Sequence, residues 1–298
     1  MDRAGGQAVF EGVMMRGTDR YAVAVRTPTG EIRVHEAPLP TWGRGLKRVP
    51  IVRGIVALAE ALPLGFKSLT WSAEHGLGQA PRTARWYERV GTFGVVAVVI
   101  VVASTAPAWA ARFAADAIGL RFLAPAFETV LGIAMLYGYL RVVGKLGDVV
   151  RLFANHGAEH KTVNAYEAGV PLTVEAVQRF STRHPRCGTS FLLLVAIVSA
   201  VVFAFMGAAS VGGLIATRVI ALPLIIGLAA EMQLRLAEVV DRPWGRVLAR
   251  PGMALQRLTT REPNDDQVEV AIVALQAVLV PNAGAVASAI GTRTAVAA

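Results

Sequence analysis

The sequence predicts an all-α membrane protein with about four transmembrane helices, a small N-terminal β-hairpin unit and further helices on the cytoplasmic face. Three observations carry that expectation. The chain has 298 residues, of which 54% are hydrophobic and 17% charged, whereas soluble domains hold about 25% charged and roughly 45–50% apolar residues. The apolar residues are gathered into long runs, as membrane spans require. Lys and Arg are then shared unevenly between the segments that join those runs.

Residues 1–48 form the N-terminal unit. Alternating runs from Tyr21 to Arg26 and from Glu31 to His35 flank Thr27-Pro28-Thr29-Gly30, which has the chemistry of a hairpin turn. Ahead of them lies a glycine-dense stretch from Gly5 to Gly17 that carries Glu11 and Arg16 among apolar residues. Its backbone N–H groups suit a phosphate cradle, but it matches neither the P-loop nor the dinucleotide pattern. A turn packed against the membrane helices is therefore expected there.

Residues 49–89 hold an amphipathic or interfacial helix and a polar linker. From Val49 to Ala73, Arg53, Glu60 and Lys67 interrupt the apolar residues, so no run reaches the ~20 residues of a span. Residues 90–143 carry spans one and two: Val90 to Ala111, uncharged, and Phe122 to Leu140, with Glu128 near its start. Residues 144–186 are a mixed polar segment. Residues 187–240 carry spans three and four: an uncharged run from Cys187 to Thr217 that includes a Gly/Ser-rich turn, then Leu214 to Leu234, with Arg218 and Glu231 near opposite ends. Residues 241–298 are a tail with an amphipathic helix from Asp265 to Leu279 and disorder beyond 281. Trp71, Trp109, Tyr137 and Tyr139 fall near expected span ends and read as interfacial anchors. His35 and His75 read as solvated surface residues.

Only Arg112, Arg121 and Arg218 lie in the two short loops that join spans one to two and three to four. The positive-inside rule therefore puts the N-terminal region, the 144–186 segment and the C-terminal region in the cytoplasm, with the spans in the inner membrane. The net charge of +9 sits beside the apolar runs, so membrane lipids are the expected partners. No nucleic-acid partner is expected, since no motif for one is present. The single cysteine, Cys187, allows no intrachain disulfide and fits a reducing compartment.

Three of the five histidines and the cysteine fall between His156 and Cys187. His156-Gly157-Ala158-Glu159-His160 puts two imidazoles at i and i+4 on one helix face, where both can reach one metal ion. Glu159 beside them is placed to take a proton from an attacking water as general base. The same face continues to Asn164 and Glu167, making Glu167 a candidate third ligand, and Gly169 and Pro171 end the helix. A short helix capped by Thr173 then leads to His184-Pro185-Arg186-Cys187, which brings an imidazole and a thiol to the mouth of span three. Glu231 lies at a similar depth, where a carboxylate is costly unless it is paired, coordinated or functional. The metal candidates are thus His156, His160, Glu167, His184, Cys187 and Glu231, and their mixed N/S/O set points first to zinc. The bland alternative is a set of polar contacts at the membrane edge, with Cys187 as a small packing residue.

The stretch Gly5-Gly6-Gln7-Ala8-Val9-Phe10-Glu11-Gly12-Val13-Met14-Met15-Arg16-Gly17 closely resembles the start of the YqhQ-like family of bacterial membrane proteins. His156 to Lys161, His184 to Phe191 and Leu258 to Pro263 agree with the same family. The resemblance covers nearly the whole chain. It implies a membrane location and a metal-dependent enzyme built on the same candidate residues, in a family labelled as of unknown function.

The expected function is a metal-dependent hydrolase at the cytoplasmic membrane face, acting on a lipid head group or a juxtamembrane peptide. Two alternatives stand beside it. One is a non-enzymatic assembly or regulatory protein in which a metal or polar cluster staples the 144–186 segment. The other is a small transporter using Glu128, Arg218 and Glu231, although the spans carry few polar residues and no repeat.

Overall fold

The computed structural model describes residues 4–40, 45–79, 105–120, 123–206 and 211–279, with the single positions 94 and 102. Four strands open the chain: β1 (Gly5–Val9), β2 (Gly12–Arg16), β3 (Arg20–Arg26) and β4 (Ile32–Pro38). Helices follow as α1 (Val52–Gly76), α2 (helical over 105–117), α3 (Ala124–Val143), α4 (Gly147–Glu167) and α5 (Val174–Gln178). The last four are α6 (Gly188–Met206), α7 (Val211–Val239), α8 (Pro243–Thr259) and α9 (Asp265–Leu279).

The strands pair antiparallel in chain order, which leaves β1 and β4 as the edges. The turn between β3 and β4 is the one marked by sequence: Gly30 takes a φ of 89° and its N–H donates to the Thr27 carbonyl at 2.9 Å. The glycine-dense stretch is a second hairpin, which corrects the expectation of a single one. Gly5 pairs with Arg16 and Val9 with Gly12. Gly12 admits no side chain, because a Cβ there would stand 1.9 Å from the Ala24 carbonyl oxygen.

Both faces of this sheet are covered. Val9, Met14, Tyr21, Val23 and Val25 turn to one side, against Leu64, Leu69 and Trp71 of α1. Val13, Met15, Ala22 and Ala24 turn to the other, against Ala158 and Val163 of α4 and Val268, Ala271 and Leu275 of α9. The result is a layer of sheet between helices, built from the first and last described parts of the chain. Trp71 is part of it: its ring stacks on His35 at 5.7 Å and on His75 at 4.4 Å. It packs on the sheet, with the two histidines as its partners.

Helices α3, α6 and the Ile215–Val239 part of α7 are long and apolar enough to cross a membrane. The first expected span, Val90 to Ala111, falls largely outside the described residues, so the described residues hold three such helices and not four. The expected disorder beyond 281 also lies outside them. Between α3 and α7, Arg218 Nη2 donates to Glu128 Oε1 at 2.7 Å, and its guanidinium stands 4.2 Å over the Phe203 ring.

Helix α1 joins the two layers. Its first turns pack on α7 so closely that a Cβ on Gly54 would lie 2.4 Å from the Ala230 Cβ. Arg53 there donates to both carboxylate oxygens of Glu231, each at 2.7 Å. Helix α4 is likewise pressed against the 260–262 segment, where a Cβ on Gly157 would meet the Arg261 carbonyl oxygen at 2.0 Å. Gly157→Ala is therefore expected to destabilise the fold by about 1–3 kcal/mol through overpacking, read as a lower unfolding midpoint in detergent.

Candidate metal centre

The middle of α4 is buried on nearly all sides, from Ala154 to Val163 except His156. Polar groups in such a place must find partners, and those partners fix the geometry of the site. His156 Nδ1 lies 2.8 Å from the Thr259 carbonyl oxygen, and His160 Nδ1 lies 2.6 Å from that of Thr182. A carbonyl only accepts, so each Nδ1 carries a proton, and in the neutral imidazole each Nε2 is then the acceptor. Metal-binding histidines are held by this same kind of outer contact.

The two lone pairs converge. The imidazole centroids are 4.4 Å apart, and Cys187 Sγ stands 3.3 Å from His156 Nε2. The ligand atoms of His156, His160 and Cys187 all lie within 4.8 Å of one another, a group that could hold a metal ion. Glu159 Oε2 approaches both Nε2 atoms, at 3.8 Å and 3.7 Å. Two bare imidazole nitrogens and a carboxylate cannot hydrogen-bond one another without a proton or cation among them. That concentration of acceptors is the electrostatic signature of the site.

A cavity of about 60 Å³ opens onto these groups. His156, Glu159, His160, His184 and Cys187 line it together with Ala4, Gly5 and Gly6. Gly6 serves here through its missing side chain: a Cβ would stand 2.4 Å from the Met14 carbonyl and 3.0 Å from Glu159 Cγ.

The other expected ligands are placed differently. His184 Nδ1 accepts from the Arg186 N–H at 3.3 Å, so its Nε2 carries the proton toward Glu167 Oε2, also at 3.3 Å. Arg186 also bonds Glu167. Burial pushes the Glu167 carboxyl up, but its hydrogen bonds with His184 and Arg186 outweigh that and hold it below the usual carboxylate range. Its contribution to stability is therefore complete above the ordinary glutamate pKa near ~4.3 and is lost as the pH falls through the depressed value. Glu231 is taken up by Arg53 and Arg235. Glu167, His184 and Glu231 thus stand outside the three-residue group, each engaged elsewhere, although His184 lines the cavity.

Gln256 supports the site and was not singled out in the sequence. Fully buried in α8, it accepts the His184 N–H at 2.9 Å and donates to the His184 carbonyl at 2.8 Å and the Ser190 hydroxyl at 3.0 Å. One side chain thereby clamps the loop that delivers Cys187. Asn164 holds the same loop from α4 through the carbonyls of Ser181 and Arg183. The one signal nearby was the family resemblance of Leu258 to Pro263, and Thr259 in that stretch supplies the carbonyl that orients His156. Gln256→Leu is expected to leave the His184 N–H and C=O unmet, at a cost of about 1–3 kcal/mol each, read as a lower unfolding midpoint.

Comparison with known proteins bears on this geometry. A family model described as "Protein of unknown function (DUF1385)" matches residues 49–280, which include every ligand of the group. Over 288 residues the chain is 34% identical to "Uncharacterized protein YqhQ" of Bacillus subtilis (strain 168), covering 90% of this chain and 89% of that one. No solved structure matches. A family match over more than half the chain and a relative aligned across nearly all of it agree: this chain belongs to the DUF1385 family.

Proposed function

We propose that this chain is a membrane-embedded metal-dependent hydrolase, with its site at the cytoplasmic face of the inner membrane and both termini in the cytoplasm. His156, His160 and Cys187 hold the ion, and Glu159 is the general base. The supporting observation is the orientation of the two imidazoles: backbone carbonyls occupy both Nδ1 atoms, which leaves both Nε2 atoms beside Glu159, with the cysteine sulfur 3.3 Å from that of His156. Two imidazoles and a thiol favour zinc, and three protein ligands leave one position open, as in catalytic sites. The ion would supply Lewis-acid polarisation of the bond to be cleaved. Glu159 takes the proton of the attacking water and returns it to the leaving group.

The location rests on two features. Cys187 immediately precedes the span-capable helix α6, and Lys and Arg concentrate on the side of the 144–186 segment. Membrane lipids are the surrounding partners, and the substrate is a lipid head group or a juxtamembrane peptide.

The test is metal content by elemental mass spectrometry on untagged protein purified without chelator, beside a His156→Ala/His160→Ala double variant. About one zinc per chain, lost in the variant, is the expected result. A folded wild type without metal would remove the hydrolase reading. A second reading is a structural metal staple, favoured by the near-equal approach of Glu159 to both Nε2 atoms, where it would stand as a fourth ligand. X-ray absorption separates the two: four protein donors and no water oxygen indicate a staple.

A further inference from the structure

Strand β1 is an edge of the sheet, and the ladder fixes which of its backbone groups are free. Gly17 N–H donates to the Arg20 carbonyl, and Arg26 N–H to that of Glu11. With the β2–β3 register, this makes the odd-numbered residues from 11 to 17 bond toward β3. Gly12, Met14 and Arg16 therefore bond toward β1, where they face Val9, Gln7 and Gly5. Gly6 and Ala8 are left with their N–H and C=O groups pointing outward from the sheet. Among the described residues no hydrogen bond takes up these groups.

That outward edge meets the cavity. Gly5 and Gly6 line it together with His156, His160 and Cys187. Gly6 is exposed, and a Cβ on Gly5 would meet nothing within 4 Å. An open edge is ordinarily blocked by charge, proline or a bulge; here it carries two glycines and an alanine. Alternating N–H and C=O groups at strand spacing complement another extended backbone, and do not complement an acyl chain.

Resting on the hydrolase reading, we infer that β1 docks an extended polypeptide segment as an additional strand, and that the substrate is a peptide bond carried past the metal group along Gly6. Hydrolysis then consumes one water. Its oxygen forms the new C–O bond, the C–N bond breaks, and Glu159 passes the proton to the leaving amine. Main-chain bonds to Gly6 and Ala8 set the depth at which the segment enters, so recognition depends on an extended conformation more than on particular side chains.

The test uses the full chain, zinc-loaded in detergent, and three probes: acetohydroxamate, the same metal-binding group on a blocked Val-Ala-Val peptide, and that peptide N-methylated at its backbone. Net gains for single hydrogen bonds lead us to expect the peptide hydroxamate to bind at least about tenfold more tightly than acetohydroxamate. N-methylation should abolish that gain. Ala8→Pro, which removes only an outward N–H and is tolerated on edges, should reduce it while leaving acetohydroxamate affinity unchanged. Equal affinity of peptide and acetohydroxamate would overturn the docking inference and leave the metal site standing. Failure of acetohydroxamate itself to bind would overturn both. A lysophospholipid hydroxamate that binds better than the peptide, and ignores Ala8→Pro, would assign the site to lipids and overturn the peptide reading.

Discussion

Glu159→Gln is expected to lower hydrolysis by about two to four orders of magnitude while leaving metal content at the wild-type level. The substitution keeps the shape of a side chain that is 5% exposed and packed against Gly6, so the fold should persist. It removes a carboxylate that lies near both imidazole nitrogens, and with it the proposed general base. Cleavage of quenched-fluorescent peptides by protein in nanodiscs, with zinc measured on the same samples, reads both quantities. Loss of metal together with activity would make Glu159 a ligand and move the site toward the structural staple. Unchanged turnover would assign the proton transfer to another group.

Breaking the Glu128–Arg218 pair should have the next largest effect, on stability. Arg218 is 8% exposed, bonded to Glu128 at 2.7 Å and seated over Phe203 between helices that are candidates to span the membrane. Glu128→Gln leaves a buried guanidinium without its counter-charge, at a cost of about 3–5 kcal/mol. Replacing both partners, as Glu128→Gln/Arg218→Met, should restore most of that loss, because the pair and an apolar substitute are near equal in energy. Unfolding in mixed detergent micelles measures the difference. The double variant should retain hydrolysis, since the pair makes no contact with the metal group. A transporter built on Glu128 and Arg218 would instead lose function in it.

The legible part of this chain was whatever repeats over a short range. Uncharged runs marked α6 and most of α7. The i, i+4 spacing put His156 and His160 side by side, and Gly169 ended α4 with a φ of 69° as expected. The hairpin around Gly30 was visible because a turn signal stood between alternating strands. Strand β2 was hidden for a physical reason: Gly12 to Met15 are buried on both faces, so no polar alternation survives to report a strand. At the site, the sequence could assemble a list of ligands but could not sort it. Arg53 lies 178 residues from Glu231, and no local pattern announces that this arginine pairs with that carboxylate. Gln256 was silent for the same reason, since its worth lies in the backbone of His184, 72 residues away.

Packing the opening strands under α9 has a consequence for biosynthesis. Arg26 and Glu269 meet across 243 residues of chain. At translation rates of about 5–20 residues per second, β2 and β3 emerge on the order of ten seconds or more before the helix that covers them. During that interval Val13, Met15, Ala22 and Ala24 lack the α9 part of their cover, and Thr259, whose carbonyl orients His156, is made only near its end. The α9 side of the sheet closes only once α9 is made, and the His156 ring is oriented only once α8 reaches Thr259. Completion of both the sheet layer and the histidine pair thus waits on residues 259–279.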